Sequence, residues 1–147
     1  VVANGDVDSP QKAATVLAQT RADALMIGRA AQGRPWIFRE LAHYLATGEE
    51  LAPPTVAEVR GWLLEHLQDH YGLYGDYIGV RGARKHIGWA LRSLPGGDAF
   101  RAEMNLIDDC EAQVRALGDW CDRLAQSLPL WPASPVAAND DAASEAA

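Results

Sequence analysis

The sequence predicts two structural classes in one chain: α/β units of the kind that complete a (β/α)8 TIM barrel, followed by a small all-α bundle. Three observations carry this. Asn4-Gly5-Asp6 and Gly28-Arg29 each follow a short apolar run and are separated by about one β-α unit. Two such turns lie at the same end of a parallel sheet. In (β/α)8 barrels, the loops after the last two strands are the usual place for a bound phosphate. From Thr55 onward the apolar spacing is helical.

Val1 to Asn4 reads as the end of a strand, and Ser9-Pro10 as a helix start with serine at the N-cap and proline at the first helical position. Ala13, Ala14, Val16 and Leu17 give that helix an apolar face ending near Thr20. Ala24 to Ile27 is an unbroken apolar run, the pattern of a strand buried on both faces. A short helical turn is expected at residues 30–33. Helical periodicity then runs from Trp36 to Thr47 through Ile37, Leu41, Tyr44 and Leu45, and Gly48 ends it.

Glu49 to Pro54 carries two prolines and marks a domain boundary, with residues 1–50 as the end of the barrel and 55–128 as the helical domain. Thr55 and Glu58 form a T-x-x-E capping box. The helix it opens has Val59, Leu63, Leu67 and Tyr71 or Tyr74 on one side. After Gly75-Asp76 a second helix is expected from about Tyr77 to Leu94, stopped by Pro95-Gly96-Gly97. A third begins near Asp98. A fourth spans about Asp108 to Leu128, with Cys110, Val114, Leu117, Cys121, Leu124 and Leu128 as its core stripe. From Pro129 the composition turns to Pro, Ala, Ser and Asp, and residues 129–147 are expected to be disordered.

Composition narrows the classes. With 48% hydrophobic residues the chain can build a core, and no apolar run approaches the ~20 residues of a membrane helix. The chain opens inside a strand, without Met or a signal peptide, and a parallel β-α-β piece leaves strand edges uncovered. The expectation is therefore a C-terminal fragment of a longer protein. The net charge of −7 lies wholly in residues 93–147, whereas residues 1–92 carry ten basic and ten acidic side chains. An acidic chain average thus leaves nucleic acid open as a partner, because binding depends on local basic faces. Cys110 and Cys121 are eleven residues apart on one helix, roughly 16 Å, too far for the ~7 Å a disulfide tolerates. They read as reduced cysteines of a cytoplasmic protein. No further Cys or His is spaced to complete a zinc site, so no metal is expected.

The candidate chemistry falls in two places. Asn4, Gly5, Asp6, Gly28 and Arg29 would meet in one crevice, where glycines admit close backbone approach and an arginine fork neutralises a phosphate. By itself, Asn-Gly also makes ordinary turns. On the helix beginning near Tyr77, Arg81, Arg84, Lys85 and Arg92 form one stripe about 100° wide, away from Val80, Ile87, Leu91 and Leu94. No acidic residue lies between Arg81 and Arg92. Such a stripe either follows a nucleic-acid backbone or is a solvated face paired with the acidic helix that follows. His86 and Trp89 sit off it and read as a satisfied histidine and a core tryptophan, with base stacking as the alternative.

The stretch Ala3-Asn4-Gly5-Asp6 and the run Ala22-Asp23-Ala24-Leu25-Met26-Ile27-Gly28-Arg29-Ala30-Ala31-Gln32-Gly33-Arg34-Pro35-Trp36-Ile37-Phe38 resemble the tRNA-dihydrouridine synthases, most of all their bacterial B-type branch. Arg81-Gly82-Ala83-Arg84-Lys85-His86-Ile87-Gly88-Trp89 resembles the same family's helical domain. The resemblance covers roughly residues 1–128. It implies an FMN-containing (β/α)8 barrel and a helical domain that grips tRNA. It also implies NADPH as reductant, hydride transfer from flavin to uridine C6, and a cysteine that protonates C5. Asn4, Gly5 and Asp6 match the family's first FMN-phosphate segment, and Gly28-Arg29 its second. The catalytic cysteine has no counterpart here, and Cys110 and Cys121 do not take that role. Two other readings stay open: another FMN barrel oxidoreductase, such as a dihydroorotate dehydrogenase or an old-yellow-enzyme relative, and a helical RNA-binding module without catalysis.

Overall fold

The computed structural model describes residues 1–92 and 94–132. In order they form β1 (Val2–Asn4), α1 (Pro10–Thr20), β2 (Ala24–Met26), a 3-10 turn (Arg29–Ala31), α2 (Ile37–Thr47), α3 (Val56–Leu91), α4 (Gly97–Met104) and α5 (Cys110–Ser127). The described chain is mostly helical with one small parallel sheet.

β1 and β2 pair in parallel with Val2 opposite Ala24, Ala3 opposite Leu25 and Asn4 opposite Met26. The connection between them is α1. Ser9 caps it by accepting the Lys12 N–H at 3.4 Å, Pro10 occupies its first turn, and Arg21 closes it in the left-handed conformation. Val7, Ala13, Ile37 and Leu41 make a small core, with Val16, Leu25 and Ile27 packed against it. The expectation that the second strand is buried on both faces does not hold: Met26 is 48% exposed. The sheet has only two strands, and among the described residues only α1 packs on both.

The capping box at the start of α3 forms as the sequence predicts. The Thr55 N–H donates to Glu58 Oε2 at 2.8 Å, and the Glu58 N–H donates to Thr55 Oγ1 at 3.1 Å. These bonds from Thr55 hold the Glu58 carboxyl below its usual range. At Gly75 the backbone leaves the helix (φ 73°, ψ 169°). This conformation admits glycine at little cost, and it lets the arm of residues 76–91 fold back on that of residues 56–74. The His66 and His86 rings consequently lie 5.0 Å apart. The two helices anticipated on either side of Gly75-Asp76 are these arms. The second ends at Leu91, three residues earlier than expected, with Leu94 buried just beyond it.

A second and larger core joins both arms to α4 and α5. Val59, Leu63 and Leu67 meet Ala83, Ile87, Leu91, Phe100, Met104, Leu117, Cys121 and Leu124. Phe100 stacks on Trp120 with ring centres 5.2 Å apart. Inside this core Gln113 is fully buried. It accepts the Tyr71 hydroxyl at 2.6 Å and donates to the Val80 carbonyl at 3.3 Å, so its polar burial is compensated.

Two features tie the α/β part to the bundle. Trp36, the residue before α2, is buried in the bundle core between Trp62 and Trp131, each with its ring centre 5.8 Å away. It is thus separate from the apolar stripe of α2. Gly33 (φ 75°) lies so close to α3 that a Cβ there would stand 2.4 Å from the Trp89 carbonyl. The last segment also departs from expectation at its beginning. Val56 donates to the Pro129 carbonyl, Trp131 donates to the Pro54 carbonyl at 2.7 Å, and Trp131 is buried. Burial of a tryptophan ring outweighs the local Pro/Ala/Ser composition. The rest of the expected disordered tail, residues 133–147, lies outside the described residues.

Candidate functional site

The parallel register of β1 and β2 brings Asn4-Gly5-Asp6 and Gly28-Arg29 to the carboxyl ends of adjacent strands. Arg29 donates to the Asp6 carboxylate, and both side chains are largely exposed. Asp6 is left-handed (φ 44°), a conformation that short polar side chains tolerate. Gly5 and Gly28 have ordinary φ values, and a Cβ at either would meet nothing within 4 Å. Neither glycine is therefore required by packing within the described chain. Both leave the backbone open to a close-lying group. The residues fit a phosphate: open backbone at two turns, the Asn4 amide, and a guanidinium able to fork to two oxygens. The Asp6 carboxylate would repel an anion, and Arg29 compensates it.

Arg34 was not anticipated. It is part-buried, donates to the Glu40 carboxylate, and reaches the Asp8 carbonyl at 3.4 Å. It ties the loop after β1 to α2. The R-x5-E spacing that made this pairing possible is visible in the sequence but carries no distinct helical or strand period.

The basic stripe divides into side chains of different character. Arg84 is only 23% exposed. It donates to the Ile107 carbonyl at 2.9 Å and to Asp108 at 2.6 Å, while its Nε is buried without a partner. Arg81 shares Asp108 at 3.6 Å, donates to the Tyr77 carbonyl, and lies 3.9 Å over the Tyr77 ring. The acidic partners absent from the helix itself thus come from the segment leading into α5. Lys85 is exposed over the Trp89 ring at 4.9 Å and has no carboxylate partner among the described residues. Arg92 is the exposed C-cap residue of α3 (φ −56°, ψ 130°), where the chain turns away from the helix, and it stands at the end of the stripe. An unobstructed cationic face is therefore narrower than the sequence suggested.

His86 and Trp89 belong to an aromatic group. His86 lies 5.3 Å from His70 and 5.3 Å from Trp89, and His70 lies 4.7 Å from Tyr74. His66 and His70, four residues apart, were legible as neighbours on one helix face, but their meeting with His86 depends on the turn at Gly75. Burial, then the other imidazoles, lowers the pKa of His70 and His86, with Lys85 adding to the effect on His86. Among the described residues, no group of three or more potential ligands is arranged to hold a metal ion.

Cys121 is buried in the bundle, and burial pushes its thiol up to about 11. Cys110 is half-buried, donates to Asp76 at 3.6 Å, and is likewise raised by burial and by that carboxylate. Neither environment favours a reactive thiolate. Among the described residues, no helix is long and apolar enough to cross a membrane.

A family model described as Dihydrouridine synthase (Dus) matches residues 1–126. The chain is 56% identical over 129 residues to tRNA-dihydrouridine synthase B of Xanthomonas axonopodis pv. citri, covering 88% of this chain and 39% of that protein. It is 52% identical over 138 residues to tRNA-dihydrouridine synthase B of Pseudomonas putida, covering 94% and 41% respectively. Its identity to the Pseudomonas aeruginosa protein of the same name is 58% over 117 residues, covering 80% and 35%. The chain spans about two fifths of the length of these relatives.

Proposed function

Because this chain belongs to the dihydrouridine synthase family, we propose that it is part of an FMN-dependent enzyme that reduces uridine to 5,6-dihydrouridine in tRNA. In this reading β1, α1 and β2 are late units of a (β/α)8 barrel, and α3 to α5 form a tRNA-binding domain. The observation that carries it is the extent of the match. The family model spans residues 1–126, which include both the two turns and the basic arm of α3. Proteins named tRNA-dihydrouridine synthase B are 52–58% identical to the chain over 117–138 residues.

The chemistry that bound FMN supplies is hydride transfer, from NADPH to C6 of the uridine. The contribution of this chain is binding and orientation. Asn4, Gly5 and Gly28 would receive the FMN phosphate at the strand ends, with Arg29 neutralising it and Asp6 orienting Arg29. Arg34, held by Glu40, keeps the first turn in register with α2. Lys85 and Arg81 would contact tRNA phosphates, with Arg92 as an outlying cation. Arg84, tied to Ile107 and Asp108, shapes the face that carries them. The C5 proton donor is assigned to neither Cys110 nor Cys121, since both lie on α5 of the helical bundle, Cys121 in its core and Cys110 against Asp76 of α3.

Titration of the intact enzyme with tRNA at several salt concentrations tests this reading. Lys85→Ala should lower the slope of log affinity against log salt by about 0.7–0.9 and leave the flavin content unchanged. Equal slopes for the two proteins would remove Lys85 from the RNA face. Absence of salt-dependent tRNA binding by the parent would overturn the function.

A further inference from the structure

Between the arms of α3, next to the Gly75 break, lies a hollow of about 370 Å3 lined by His70, Tyr74, Ile78, Arg81, Lys85 and His86 around Gly82. Its volume is in the range of small-ligand sites. Two lining residues are cations and none is a carboxylate. Tyr74 is 52% exposed and Ile78 61% exposed, which leaves aromatic and apolar surface open beside positive charge. The lowered pKa values of His70 and His86 keep these rings neutral near pH 7, so they offer π faces rather than charge.

Folding alone does not account for the group. His70 Nε2 is buried without a hydrogen-bond partner, a cost to stability. It is accommodated only because residue 82 is glycine, where a Cβ would stand 2.6 Å from that nitrogen. Aromatic faces inside and cations at the rim are the combination that binds unpaired nucleotides: bases stack on rings, and phosphates meet Lys or Arg. A paired helix would present phosphates but no free base face.

We infer that this hollow receives one unpaired nucleobase of RNA, stacked on Tyr74 beside the histidine rings, with an adjoining phosphate on Lys85 and Arg81. This rests on the tRNA reading above and assigns a particular contact within it. Stacking of this kind tolerates any base, so the site selects unpaired structure rather than sequence.

The test uses the intact enzyme and two RNA hairpins, one with 2-aminopurine in the loop and one with it in the stem. Fluorescence quenching on binding of the loop probe alone is the expected result. Tyr74→Ala should abolish the quenching and weaken binding about five- to 150-fold with an unchanged salt slope. Tyr74→Phe should restore both. RNA binding with no loop-probe quenching, or with Tyr74→Ala indistinguishable from the parent, would overturn the inference and leave the tRNA reading standing. Displacement of the loop probe by polyglutamate as readily as by unlabelled RNA would overturn it in favour of an anionic-peptide surface. Failure of the parent to bind either hairpin or tRNA would overturn both.

Discussion

Arg29 and Asp6, separated by twenty-three residues in sequence, are joined by an ion pair across the carboxyl ends of two parallel strands. The pair is largely exposed, so it contributes at most about 1 kcal/mol to the fold. Its consequence is positional: it brings the guanidinium to the mouth of the two turns and orients it there.

Replacing Arg29 separates these contributions. A charge-assisted contact to phosphate is worth about 1.5–3 kcal/mol, more than the exposed pair itself. Arg29→Ala in the intact enzyme should therefore weaken FMN binding roughly ten- to 150-fold, with a shift in unfolding midpoint too small to explain it. Flavin absorbance of the purified variant at limiting FMN measures the effect. Full occupancy would exclude Arg29 from the cradle.

Arg84 should behave as a structural residue. Its removal leaves the Ile107 carbonyl without that donor and breaks the short contact to Asp108. Arg84→Ala is expected to destabilise the chain by about 1–3 kcal/mol, against about 0.5 kcal/mol or less for Lys85→Ala on the exposed surface. Urea unfolding of the three proteins distinguishes these outcomes. The result also decides interpretation of RNA-binding data, since a loss of affinity in a destabilised Arg84 variant would follow from a disturbed contact between α3 and the segment leading into α5.

Gly33→Ala tests the close approach between the α/β part and α3. A left-handed non-glycine residue costs about 1–3 kcal/mol, and the Trp89 backbone at 2.4 Å adds a clash. Gly48 has nearly the same φ (76°) but open space around it. Gly48→Ala therefore reports the backbone strain alone. The Gly33 variant should melt several degrees below the Gly48 variant, and equal melting temperatures would mean that the contact with Trp89 is loose.

The histidine group predicts a pH dependence. Burial lowers the pKa of His70 and His86 below the unfolded value of 6.5, so between the two values the unfolded state binds more protons than the folded state. Stability is then full above about pH 7 and falls as the pH drops through 6.5 toward the folded values. Urea midpoints measured from pH 7.5 to 5.5 should decline for the parent. The decline should be shallower for His86→Phe, which removes one of the titrating rings; an identical profile would show that this group does not drive it.

Local patterns in the sequence determined much of this molecule. The Ser9-Pro10 start, the Thr55–Glu58 capping box and the glycine at residue 75 are short-range devices whose partners lie within a few residues, and each acts where the sequence places it. The apolar stripes through Val59, Leu63 and Leu67, and through Leu117, Cys121 and Leu124, follow helical spacing and are buried accordingly. The two turns were also legible as neighbours, because one β-α unit returns the chain to the same sheet end. Tertiary structure decided the remainder. Periodicity specifies which face of a helix is apolar but not what a charged face meets, so the pairing of Arg84 with Asp108 appeared only once α3 and α5 were packed. Composition misjudged residues 129–132 because a single tryptophan ring, seated against Trp36, contributes more to placement than its flanking prolines and alanines. The hollow of His70, Tyr74, Lys85 and His86 exists for a similar reason. It is formed where the chain reverses at Gly75, between residues whose spacing along either arm gives no sign that they meet.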